Sequence, residues 1–217
     1  MDFPRFFAEA PEISLREPLA VFLGASGSGT ISYSYADAVK LAGHSCPTVA
    51  GAYLMVRKGL ACLYGGDPPE RGGIEVHMRD SRGQGTTGVS AAVATLLTGA
   101  APETGFGGIG PDRRFARRNL LHFEAPIDSL MALRRLDTGR GVALDLHAGI
   151  VPPDPEMAIL FPKAIAGTAS KDQQVRFAQL WQDRVARMLL EHADDPELIS
   201  IHEWETEAPA DALQRNP

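Results

Sequence analysis

Two side chains capable of metal binding or nucleophilic chemistry, His44 and Cys46, stand two positions apart in Gly43-His44-Ser45-Cys46-Pro47-Thr48. Pro47 suits the first position of a helix, where its missing N–H would have no partner anyway. Cys46 then falls at or beside the N-cap, where free N–H groups and the positive end of the helix dipole favour a thiolate. His44, on the turn before it, can face the same point. The pair reads as half of a metal site or as a Cys/His reactive pair. Equally, it reads as a small buried thiol beside a capping histidine, since two ligands alone do not define a site.

The flanking pattern says how such a pair would be held. Tyr35 to Leu41 has the spacing of a short amphipathic helix, closed by Gly43 as its left-handed cap. From Pro47 to about Tyr64, Val49, Tyr53, Val56, Leu60 and Leu63 recur at three and four residues, one buried stripe that fixes the helix against a sheet. Gly65-Gly66-Asp67-Pro68-Pro69 stops it. Gly73 to Arg79 alternates, with Ile74, Val76 and Met78 on one face and Glu75, His77 and Arg79 on the other, as in a half-buried strand.

Elsewhere the pattern is mixed. Residues 2–9 suggest a short helix carrying Phe3, Phe6 and Phe7, and Pro18 to Leu23 reads as a strand. The loop Gly24 to Thr30 has the glycine spacing of a phosphate loop, but no Lys follows and Ile31 to Tyr33 looks extended, so it reads as a Gly/Ser turn. Asp80 to Gly88 is a Gly/Thr loop in which Thr86 or Thr87 caps a buried helix from Val89 to Leu97. Gly99 to Pro111 is a second Gly-rich loop, followed by Arg113, Arg114, Arg117 and Arg118. Such a cluster can hold a carboxylate or phosphate, or simply be solvated or paired with acids. Asn119 to Glu124 and Leu130 to Leu136 read as strands, and Asp137-Thr138-Gly139-Arg140 as a hairpin turn into Val142 to Leu146. After the proline-rich Ile150 to Glu156 come helices over Met157 to Ile165 and Lys171 to His192, the latter capped by Ser170. Leu198 to Trp204 suggests a last strand, and an acidic, mobile tail follows.

Composition bounds the rest. The chain has 217 residues, 44% apolar and 22% charged, as expected of a soluble globular protein. A formal charge of −6 disfavours nonspecific attraction to nucleic acid or anionic membranes. No run approaches a membrane span, and the N-terminus lacks the apolar core of a signal peptide. Cys46 and Cys62, about 24 Å apart along one helix, cannot pair. Free thiols point to the cytoplasm, with Cys62 as a packing residue.

Ala42 to Tyr53, AGHSCPTVAGAY, resembles the Gly-His-x-Cys-Pro signature of the FmdE-like family, named for a component of formylmethanofuran dehydrogenase. The resemblance spans roughly residues 30–147, through Leu97-Thr98-Gly99 and Asn119-Leu120-Leu121. It implies an α+β core, a homodimer, and zinc or another transition metal near the His44-x-Cys46 turn. Where that family commonly has a further Cys and an Asp, this chain has Val89 and Ala92, and it has no CxxC pair for the C-terminal zinc ribbon of many members.

The expected architecture is therefore α+β: an antiparallel sheet packed with helices in residues 1–149, a helical extension with a final strand over 150–205, and a tail over 206–217. The leading expectation is a metal-binding homodimer with a site of His44, Cys46 and a third ligand from a strand, His77 first and His122 second. Mixed nitrogen and sulfur ligation suits zinc, with iron, nickel or haem iron as alternatives. Two other readings stay open. One is a metal-free enzyme with Cys46 as nucleophile and His44 as base. The other is a non-catalytic module whose arginines and Gly-rich loops hold an anionic small molecule or a partner.

Overall fold

The structure, a computed structural model, describes residues 3–205, so the expected tail lies outside the described residues. Its centre is a five-stranded sheet in the order β4-β3-β5-β6-β7, formed by β3 (Ile74–Met78), β4 (Leu121–His122), β5 (Met131–Arg135), β6 (Gly141–Leu146) and β7 (Ile199–Trp204). The fold class is α+β as expected, but the sheet is mixed: β4 runs parallel to β3, and the other pairs are antiparallel. A separate two-stranded ladder joins β1 (Ile13–Arg16) to β2 (Thr30–Tyr33).

Helix α3 (Pro47–Tyr64) lies across one face of the large sheet. The five stripe residues are all buried, from Val49, Tyr53 and Val56 at 0% to Leu60 and Leu63 at 2% exposure. Each such side chain contributes about 1.5–3 kcal/mol when fully buried. The helix comes so near the sheet that a Cβ on Gly59 would stand 2.7 Å from Leu133 and 3.0 Å from Leu144. Helix α2 (Tyr35–Ala42) precedes it and ends at Gly43, whose φ of 75° is the left-handed turn anticipated there. Helix α4 (Thr87–Thr98), which has no charged side chain, packs between α3, α2 and β3.

Helix α6 (Lys171–Leu190) carries Val185, Met188 and Leu189 into the same core, and α5 (Met157–Ile165) packs on α6 around Met157, Leu160 and Leu180. Ser170 caps α6 through a bond from the Gln173 amide.

Several local expectations are corrected. Pro18–Phe22 is a helix, α1, and not a strand, because Glu17 caps it by accepting from the Leu19 N–H and Pro18 opens it. The strand lies just before, at Ile13–Arg16. Among the described residues of the first segment, Arg5–Ala8 form a 3-10 helix. Cys62 is exposed on the outer side of α3, so it is no packing residue. Among the described residues, no helix is long and apolar enough to cross a membrane.

Candidate metal centre

The period of two in β3 sets the site. Ile74, Val76 and Met78 are buried in the main core with α3 and α4, so Glu75 and His77 project from the opposite face of the sheet. The register Val76↔Leu121 and His77↔His122 then places His122 directly beside His77. Asn119 and Glu124 adopt left-handed φ values of 59° and 54°, which confine this edge strand to Leu121–His122 instead of the longer strand anticipated.

On that face the two imidazoles stack, with centroids 4.6 Å apart and planes inclined by 22°. The Glu75 Oε2 atom lies 3.4 Å from His77 Nε2. One potential ligand atom from each of Glu75, His77 and His122 lies within 4.8 Å of the others, and among the described residues no other three His, Cys, Asp or Glu side chains are so grouped.

Neighbouring strands shape the surroundings. Arg134, opposite Glu75 in β5, donates its Nε to Glu75 Oε2 at 2.7 Å, and its terminal nitrogen donates to the same oxygen. Trp204 of β7 meets the His77 ring edge-on at 4.7 Å. Ala132 and Ala143, the small residues of β5 and β6 on this face, leave room above the sheet for these rings, and Ile127 closes the apolar side.

Burial alone would raise the Glu75 pKa, but hydrogen bonds from His77 and Arg134 and the Arg134 charge outweigh it and hold the carboxyl below its usual range. His122 is pushed down by burial first and by His77 second, so its ring favours the neutral form that ligates metals. Two imidazoles and a carboxylate are the donor set of open zinc sites and of mononuclear iron(II) sites.

The His44/Cys46 pair sits elsewhere. Cys46 is the N-cap of α3, its Sγ accepting from the Val49 N–H at 3.5 Å. His44 Nδ1 lies 3.0 Å from the Ala42 carbonyl oxygen, which can only accept, so Nδ1 carries the proton. Its other ring nitrogen, Nε2, faces the Cys46 thiol, 3.3 Å away. The turn is pinned from α6, where Trp181 Nε1 and Gln182 Nε2 both donate to the Ser45 carbonyl, at 3.0 and 3.2 Å. Tyr35 holds Ser45 Oγ at 3.0 Å. Burial, the largest effect on Tyr35, raises its phenol well above the ordinary value, so it stays neutral.

His77 is not brought to this pair within one chain: it projects from the sheet face turned away from α3. It joins His122, the second choice, and Glu75, which was legible only as a strand-mate of His77. His147 bonds Ser200 Oγ at 3.0 Å and belongs to neither group.

No family model matches this chain, and no curated protein matches it. Among solved structures, it is similar to a tungsten formylmethanofuran dehydrogenase FmdE-like protein from Syntrophus aciditrophicus. That match has 16% identity and a TM-score of 0.44 over 81% of this chain and 74% of the other. Similarity of that order carries no inference about ligands or reaction.

Proposed function

We propose that this protein binds one divalent transition-metal ion, zinc being the best suited, through Glu75, His77 and His122. The observation that carries the reading is the convergence of three ligand atoms within 4.8 Å of one another on one sheet face. A metal held by three protein ligands keeps an open position and supplies Lewis acidity toward a carbonyl or water. Arg134 orients the Glu75 carboxylate, as an outer partner does in metal sites. Trp204 packs edge-on against His77, beside the apolar cluster of Ile127, Ala132 and Ala143. Assembly as a homodimer belongs to the same proposal, supported by the exposed apolar Ile159, Ile165 and Val175 on the α5–α6 pair.

Metal analysis of purified protein, with zinc titration calorimetry, tests the site. Wild type should take up about one zinc per chain. His77→Ala and His122→Ala should each weaken binding at least tenfold, while His44→Ala and Cys46→Ala leave it unchanged. Loss of metal only in the His44 and Cys46 variants would overturn the assignment.

The hydrogen-bonded thiol of Cys46 supports a second reading, a reactive cysteine with His44 as its base. In a Cys62→Ser background, which removes the exposed thiol, iodoacetamide should modify Cys46 faster in wild type than in His44→Ala, with zinc giving no protection. Equal rates would remove His44 from that role.

A further inference from the structure

The glycine-rich loop at 24–30 and the arginine cluster at 113–118 take no part in the metal centre, yet the fold brings them together. They meet with α1 (Pro18–Phe22) around a cavity of about 430 Å³, within the size range of small-molecule sites. Its apolar wall is Val21, Phe22 and Phe115, the two rings 5.3 Å apart. The Arg114 guanidinium lies over both, 4.8 Å from the Phe115 centroid and 5.6 Å from that of Phe22. Among the described residues, no carboxylate pairs with Arg114.

The backbone holds this arrangement at a cost. Arg113 and Phe115 both sit in the left-handed region, at φ 49° and 63°, a conformation that side chains with a Cβ adopt only under strain. The segment is locked from behind by the paired backbones of Ile109 and Arg114, and by Gly108, where a Cβ would stand 2.3 Å from the Arg113 carbonyl oxygen. Two strained residues on either side of Arg114 thus present it and Phe115 to the cavity.

The floor adds no negative charge. Glu17, 4% exposed, gives its carboxylate to two guanidiniums, Arg71 at 2.9 Å and Arg117, and so is more than neutralised. Gly72 lets Arg117 through, since a Cβ there would overlap its guanidinium. Arg16 at the rim is paired with Glu70 at 2.8 Å. What remains is one uncompensated cation stacked on aromatic rings, on a chain of formal charge −6. An apolar wall beside a guanidinium fork suits a ligand with a flat apolar body and one carboxylate, which the fork can engage bidentately.

We propose that this cavity binds a small aromatic carboxylate, with Arg114 holding the carboxylate and Phe22 and Phe115 the ring. The site is independent of the metal centre.

Calorimetric titration of the full chain with 1-naphthoate tests it. Saturable one-to-one binding is expected, weakened at least tenfold by Arg114→Gln, less by Arg114→Lys, and not by Arg113→Gln. The uncharged 1-naphthamide should bind at least tenfold more weakly than the acid. Arg114 is exposed, so both of its variants should keep the wild-type melting temperature, and naphthoate binding should persist in His77→Ala, which separates this site from the metal centre. No binding to wild type, equal binding to folded Arg114→Gln, or equal binding of the amide would each overturn the proposal.

Discussion

At the residue scale, Glu75 decides how the centre behaves, because its carboxylate is shared between His77 and the Arg134 guanidinium. Arg134 orients it but also sets a positive charge beside the place a cation would occupy. Arg134→Gln keeps a hydrogen-bond donor and removes that charge, so zinc should bind several-fold to about tenfold more tightly, read by calorimetry at constant pH. Weaker binding would mean that orientation outweighs repulsion. The sequence carried part of this centre. Alternation in Gly73 to Arg79 already put Glu75 and His77 on one face, yet His77 looked free to join Cys46, because nothing local says which face α3 covers. The partnership with His122 depends on a parallel pairing between strands far apart in the chain, and pair spacing does not encode that.

At the element scale, the segments with strong punctuation were readable and the weakly marked ones were not. Gly43, Pro47 and the α3 stripe fixed two helices and the N-cap position of Cys46. Pro18 to Leu23 looked extended from its apolar run, but the cap from Glu17 made it helical. Gly59→Val pushes methyl groups into Leu133 and Leu144, both fully buried, and should destabilise the fold by about 1–3 kcal/mol in urea melts. A neutral result would mean that α3 can lift from the sheet.

At the start of α2, Asp37 accepts from the Ser34 N–H at 2.9 Å and from Lys40 at 3.0 Å. Burial works against its ionisation, but those bonds outweigh it and hold the carboxyl below its ordinary value. Its folded pKa is thus depressed, so its contribution is present above the unfolded carboxylate pKa and is lost as pH falls through the folded value. Asp37→Asn should cost about 0.5–1 kcal/mol at pH 7 and much less near pH 3, followed by denaturant melts at both pH values. A cost independent of pH would contradict this role.

For the molecule as a whole, the proline-rich connector near residue 150 looked like a boundary between a core and an extension. The chain beyond it nonetheless returns to the centre. Val185, Met188, Leu189, Leu198 and Ile199 lie in the main core, and β7 completes the sheet edge next to β6 and supplies Trp204 to His77. A chain ending at residue 150 should therefore lose cooperative unfolding and bind no zinc, as seen by circular dichroism and calorimetry. A truncated chain that melts sharply would show instead that residues 1–150 fold alone.

The metal assignment to Glu75, His77 and His122 is tested most directly by an anomalous difference map from a zinc-soaked crystal. A single strong peak is expected on the sheet face away from α3, with imidazole nitrogens of His77 and His122 at about 2.0–2.1 Å and a Glu75 oxygen at about 2.0–2.2 Å. A peak at Cys46 and His44 with none between these three side chains would contradict it.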